Sequence, residues 1–188
     1  MTTALVAKGS IQEVVKGGDT AIALLDAQIA LVCDRSSSML EVARSRKRRF
    51  EIEDEVVVRL QARYPGQVAL ASFSEEAELQ PSGILPPPQG GTNMIDALRL
   101  IEQLSQIGLK CVLISDGEPN DEYGTIAYAT QIHVNFDVIF VGPETSGGAV
   151  FLRKLCNVAK GAFHVNDLAK DATLLEQTIV LMLESGRR

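Results

Sequence analysis

The sequence predicts an open α/β sheet, mostly parallel, with one antiparallel edge strand and helices on both faces. Three observations carry that prediction. Short apolar runs such as Ile29 to Cys33 read as strands covered on both faces. Longer segments with apolar residues at helical spacing alternate with them, as strand–helix–strand crossovers require. Finally, Val68 to Phe73 is followed by Ser74-Glu75-Glu76 and then Ala77 to Gln80. A connection this short cannot make a parallel crossover, so that pair must be antiparallel.

Residues 4–15 and 20–25 are apolar-rich and flank Lys16-Gly17-Gly18-Asp19, which reads as a hairpin, with a helical start as the alternative. Residues 1–28 are therefore set apart as a leader of unassigned role, and 29–188 form the domain. After the first strand a long charged helix is expected over roughly 41–63. Phe50, Val57, Leu60 and Tyr64 fall at helical spacing there, and Pro65-Gly66 stops it. The strand Val68 to Phe73 and its return strand come next, then a loop over 81–91 rich in proline and glycine. A helix over 93–107 ends at Gly108. Lys110 to Ile114 is a strand, 121–131 a helix and Phe136 to Val141 a strand. A loop with Gly147-Gly148 leads into a helix over 149–159 capped by Gly161. Ala162 to Val165 is a last short strand. The final helix, 167–184, places Leu168, Ala172, Leu175, Ile179 and Met182 on one side.

The length of 188 residues fits one domain, and 46% hydrophobic residues suffice for a sizeable core. A net charge of −6 gives no general attraction to nucleic acid or to an anionic membrane, so neither is expected as a partner. No signal peptide or membrane span is evident, because Ile179 to Leu183 is far too short an apolar run to cross a bilayer. The expectation is a soluble, cytoplasmic protein. Cys33, Cys111 and Cys156 show no CxxC spacing and read as buried reduced thiols rather than a zinc site. His133 and His164 are isolated.

Ligands of open α/β sheets sit outside the carboxyl ends of the strands. The polar groups that fall there are Asp34-Arg35-Ser36-Ser37-Ser38 and Ser115-Asp116-Gly117, with Gly90-Gly91-Thr92-Asn93 opening a helix between them in sequence. All are hard oxygen donors, with no thiolate or imidazole among them. Such a set suits Mg²⁺ or Mn²⁺, which take about six oxygens. In Asp34-x-Ser36-x-Ser38 a tight loop leaving a strand can aim alternate side chains to one side. Gly90 and Gly91 would let the backbone at Thr92 approach closely.

These segments resemble a known family. IALVCDRSSSM is similar to the first strand and metal loop of von Willebrand factor A domains, PPPQGGTNMIDAL to their threonine loop and CVLISDGEPND to their second aspartate loop. The resemblance covers about residues 29–184 and implies a three-layer Rossmann-like fold with a metal-ion-dependent adhesion site. By that resemblance Ser36 and Ser38 bind the metal directly. Thr92 binds directly or through water, and Asp34 and Asp116 often act through waters. An acidic side chain of a partner protein would complete the shell. The implied function is a metal-dependent protein-binding adaptor, not an enzyme. Two spacer positions depart from the family pattern: Ser37 stands where glycine is frequent and Arg35 where a small or uncharged residue is common. Arg35 is expected in solvent, with help in holding an acidic partner as the alternative.

Simpler roles exist for the same residues. Thr92 could merely cap the following helix. Arg44, Arg46, Lys47, Arg48 and Arg49 form a basic run, but Glu51, Glu53, Asp54 and Glu55 follow at once. Lys47–Glu51 and Arg49–Glu53 pairs on a solvated helix face are expected instead of a nucleic-acid patch. The alternative function is a Mg²⁺-dependent hydrolase or phosphotransferase on a Rossmann-like sheet. Its DxD pair is missing, because Ser36 holds the second position. GxGxxG and GxxxxGK[ST] are absent as well.

Overall fold

The structure, a computed structural model, describes residues 6–15, 24, 26–42, 46–167 and 173–185. Six strands make one sheet: β1 (Ile29–Asp34), β2 (Val68–Phe73), β3 (Ala77–Leu79), β4 (Lys110–Ser115), β5 (Phe136–Phe140) and β6 (Phe163–Val165). Their order across the sheet is β3-β2-β1-β4-β5-β6. Every neighbouring pair is parallel except β2–β3, which is antiparallel at the edge. The short turn after Phe73 thus does what its length dictates.

Alternation along the strands divides the core in two. Ile29, Leu31 and Cys33 of β1 join Val112, Ile114, Ile139 and Val141 on one face of the sheet. Helices α2 (Arg49–Arg63) and α6 (Thr173–Ser185) cover that face with Ile52, Val56, Leu60, Leu175 and Ile179. Ala30 and Val32 point the other way, with Ala69, Phe73, Leu113 and Phe140. There α3 (Met94–Gln106), α4 (Glu122–Ile132) and α5 (Gly147–Ala159) form the opposite layer. Both faces of the central strands are therefore apolar, which is why they read as unbroken hydrophobic runs.

Several expectations need correction. The segment Ile11–Val15 is a short helix, α1, not the arm of a hairpin. Ala7 N and Gln12 N donate to Ser82 O and Pro81 O (2.8 and 3.0 Å), and Ile11 is buried. These bonds tie the described part of the leader to the 81–82 loop. The proposed turn at 16–19 lies outside the described residues. The charged helix starts at Arg49, eight residues later than expected. Ser37–Leu40 form a 3₁₀ turn, Val42 bridges Arg48, and Arg46 has φ of 65°, so the chain loops before it coils. Gly147 and Gly148 belong to α5 rather than to a loop before it, and the left-handed residue ending α5 is Lys160, not Gly161. The last helix is described over Thr173–Ser185, and the expected start with Leu168 and Ala172 lies outside the described residues. The three cysteines are buried free thiols.

Candidate metal centre

The parallel strands β1 and β4 lie side by side and end together, so Asp34 and Asp116 emerge at one edge of the sheet. Sheet order reverses between these two strands, and the crevice this opens is where α/β folds bind ligands. Asp34 is fully buried. Its Oδ1 accepts from Ser36 N (2.8 Å), and its Oδ2 accepts from the Ser115 hydroxyl (2.6 Å). Ser115 Oγ in turn accepts from Gly117 N (2.9 Å), so one carboxylate ties the first metal-loop candidate to the second.

Beyond Asp34 the chain pairs once more, with Arg35 N donating to Phe73 O (2.7 Å), and then enters the 3₁₀ turn. Buried Met39 pins that turn to the core. The turn brings Ser36 Oγ within 3.0 Å of Ser38 Oγ. Ser37, at the position where glycine is frequent, has no positive φ and uses its hydroxyl on Gly90 O (2.9 Å).

The third loop reaches the site through its backbone. Gln89 N donates to Arg35 O (2.7 Å) and Ser37 N to Gly90 O (3.1 Å). Gly90 has φ of +72°, a conformation that favours glycine. On the other side Thr92 N donates to Asn120 Oδ1 and Asn120 N to Thr92 O, both at 3.0 Å. The cap of α3 is Asn93, which accepts from Asp96 N, so Thr92 is released from that role. Thr92 is buried and joined to the other four residues by its loop rather than by its hydroxyl.

Asp116 is buried against α5, where a Cβ at Gly148 would lie 2.1 Å from Asp116 O. The Ser38 hydroxyl lies near enough to its carboxylate to favour the charged form. Asp116 Oδ2 accepts from Arg49 Nη1 (2.9 Å), while Oδ1 is buried without a hydrogen-bond partner among the described residues. Burial, with the Asp116 charge adding to it, pushes the Asp34 carboxyl up to about 6 against the bonds from Ser115 and Ser36. Burial also raises Asp116, opposed by Ser38 and Arg49. Two crowded carboxylates with an orphaned oxygen are short of positive charge.

The basic residues behave otherwise than expected. Arg35 is 1% exposed rather than in solvent. It pairs with buried Glu53 (3.4 Å) and with Asp54, and lies over the Phe50 ring. Lys47 pairs with Glu55 instead of Glu51, and Arg49 with Glu41 and Asp116 instead of Glu53. The late start of α2 is the cause, since Lys47 precedes the helix and Glu53 faces inward. Arg44 lies outside the described residues.

Thus Asp34, Ser36, Ser38 and Asp116 form one linked set of hard oxygens, and Thr92 stands on a loop tied to both sides of it. Among the described residues no group of three or more His, Cys, Asp or Glu side chains could hold a metal, so hydroxyls must complete any shell here. Sequence reasoning placed Ser115 at the strand end without giving it a role, and it missed Asn120 and the placement of Arg49. Ser115 sits beside Asp116 and Asn120 follows the same loop, and their neighbourhood was the available signal. Arg49 had none, because its partner lies 67 residues away.

No family model matches this chain, and no curated protein does. Solved structures resemble it. The conserved hypothetical protein BatB from Bacteroides thetaiotaomicron superposes with a TM-score of 0.61 at 19% identity, covering 84% of this chain and 99% of that one. A von Willebrand factor type A structure from Catenulispora acidiphila gives 0.64 at 15% identity, over 85% of this chain but only 43% of that one. The manganese-loaded TRAP protein of Plasmodium vivax gives 0.52 at 16% identity, over 82% of this chain and 74% of that one. At such identities the likeness concerns architecture: this chain has the three-layer, Rossmann-like fold of von Willebrand factor A structures.

Proposed function

We propose that the chain is a divalent-metal-dependent protein-binding module. Asp34, Ser36, Ser38, Thr92 and Asp116 would hold Mg²⁺ or Mn²⁺, and an acidic side chain of a partner protein would complete the shell. The observation that carries this reading is the linked donor set at the β1–β4 edge, with Asp116 Oδ1 buried and unpartnered. A divalent cation bound there supplies positive charge and an open position for a carboxylate. The structural likeness to a manganese-loaded protein supports the same reading.

The chain's own groups fit binding better than turnover. Ser115 and Ser36 N fix Asp34 in one orientation, and Asn120 fixes the Thr92 loop, so the donors are held before any ligand arrives. Neither histidine is placed as a base for the site: His133 ends α4 and His164 lies on the edge strand β6. The net charge of −6 disfavours nucleic acid as the partner.

Calorimetric titration of Mn²⁺ and Mg²⁺ into metal-free protein tests this. The expected result is saturable binding near one equivalent that is lost in a folded Asp34→Ala, Ser36→Ala, Ser38→Ala variant. No binding at millimolar metal would sink the proposal. Turnover of phosphoesters that needs metal and is lost in Asp34→Asn would favour the hydrolase instead.

A further inference from the structure

We infer that Arg49 is a resident cation of this site, which neutralises Asp116 in the metal-free protein and competes with the divalent ion for that carboxylate. The inference rests on the metal-binding reading above. The guanidinium is held on two sides. Nη1 donates to Asp116 Oδ2 at 2.9 Å, and Nη2 lies 2.6 Å from Glu41 Oε2. The two carboxylates differ in setting, the Asp116 side chain being 4% exposed and that of Glu41 64%. One end of the fork therefore reaches into the site and the other stays at its mouth.

Backbone ties keep Arg49 there. Its N–H donates to Glu41 O at 3.1 Å, and the Val42–Arg48 bridge closes the loop between them. This excursion delays the start of α2 and sets Arg49 as its first residue, facing the end of β4. Arginine does not lose its proton in proteins, so the charge is constant. A divalent ion that uses Asp116 must meet that charge within a few ångströms, in partly buried surroundings that screen it poorly. An ion at the free Oδ1 meets Nη1 across the same carboxylate, and repulsion favours Nη1 leaving Oδ2 while Nη2 keeps Glu41 at the rim. The affinity for metal is then set by an exchange of cations on one carboxylate rather than by filling a bare site.

The test is Mn²⁺ titration of the full chain, followed by calorimetry, in wild type, Arg49→Gln and Arg49→Ala. Arg49→Lys keeps the charge and serves as one control. Arg59→Gln is the other, removing a cation that pairs with Glu176 ten residues further along α2, roughly 15 Å away at 1.5 Å per residue. Both neutral Arg49 variants are expected to bind Mn²⁺ on the order of tenfold more tightly than wild type, with the two controls within about twofold. In metal-free protein the same neutral variants should melt at a lower temperature than wild type, since Asp116 loses its counter-ion, and gain more from added Mn²⁺. Neutral variants that bind Mn²⁺ no better than wild type would overturn the competition and leave the metal site standing. Equal tightening in Arg59→Gln would reduce it to net charge and also overturn it. Absence of saturable Mn²⁺ binding from every protein in the set would remove the metal reading and this inference together.

Discussion

A guanidinium taken out of water needs anions at close range, because its desolvation is repaid only by pairing. Arg35 meets that condition through Glu53 and Asp54, and the three side chains clamp the Asp34–Ser38 segment to α2. Arg35→Ala would leave Glu53 buried without its counter-ion and should cost about 3–5 kcal/mol in urea unfolding. The paired replacement Arg35→Met with Glu53→Leu removes both charges and should recover most of that loss. If the double variant is as unstable as the single one, the pair is not what the single change breaks. None of this was legible locally. A lone arginine between Asp34 and Ser36 gives no sign of burial, since its partner is 18 residues further on, on a helix face that itself reads as solvated. The donor residues were legible, because chemistry of one kind gathered at two strand ends and one glycine-rich loop.

Among the elements, the strands and α3 to α6 followed from apolar period and punctuation, with ends displaced by a few residues. The start of α2 did not. Glu41 to Arg48 is a charged stretch with no breaker, and among the described residues the Val42–Arg48 bridge and the tie of Arg49 to Glu41 hold it out of the helix. Such contacts are tertiary and override local propensity. Helix α5 packs directly on the site through Gly148. A Cβ added to Gly148 meets Asp116 O at 2.1 Å, whereas one added to Gly147 meets nothing within 4 Å. Gly148→Ala should therefore destabilise the fold by about 1–3 kcal/mol and weaken Mn²⁺ binding by displacing Asp116. Gly147→Ala should change stability by no more than about 1 kcal/mol and leave binding intact. Melting curves and titrations of the two single variants separate these outcomes, and equal behaviour of the pair would refute the packing argument.

For the molecule as a whole, buried acids tie stability to pH. Burial raises Glu53 to about 7 from 4.5, against the opposing charge of Arg35, and raises Asp34 to about 6 from 3.8. Both carboxyls hold protons more tightly in the folded state than in the unfolded chain. Folding is therefore favoured at low pH within this window and loses stability as pH rises from about 4 to about 7, then levels off. Urea unfolding of metal-free protein at a series of pH values should show that negative slope. Glu53→Gln should flatten its upper part, above about 6, where more than half of Asp34 is ionised. A stability that climbs through the same interval would contradict it. No helix among the described residues is long and apolar enough to cross a membrane.

The sheet order has one more consequence. The loop over 81–91 separates a first half that supplies β1, β2 and β3 from a second that supplies β4, β5 and β6, and the two meet only along the β1–β4 ladder within the sheet. Asp34, Ser36 and Ser38 belong to the first half, Thr92 and Asp116 to the second. Neither half carries the full donor set. The site is thus a seam between two pieces of chain, and whatever binds it reports that the pieces are joined.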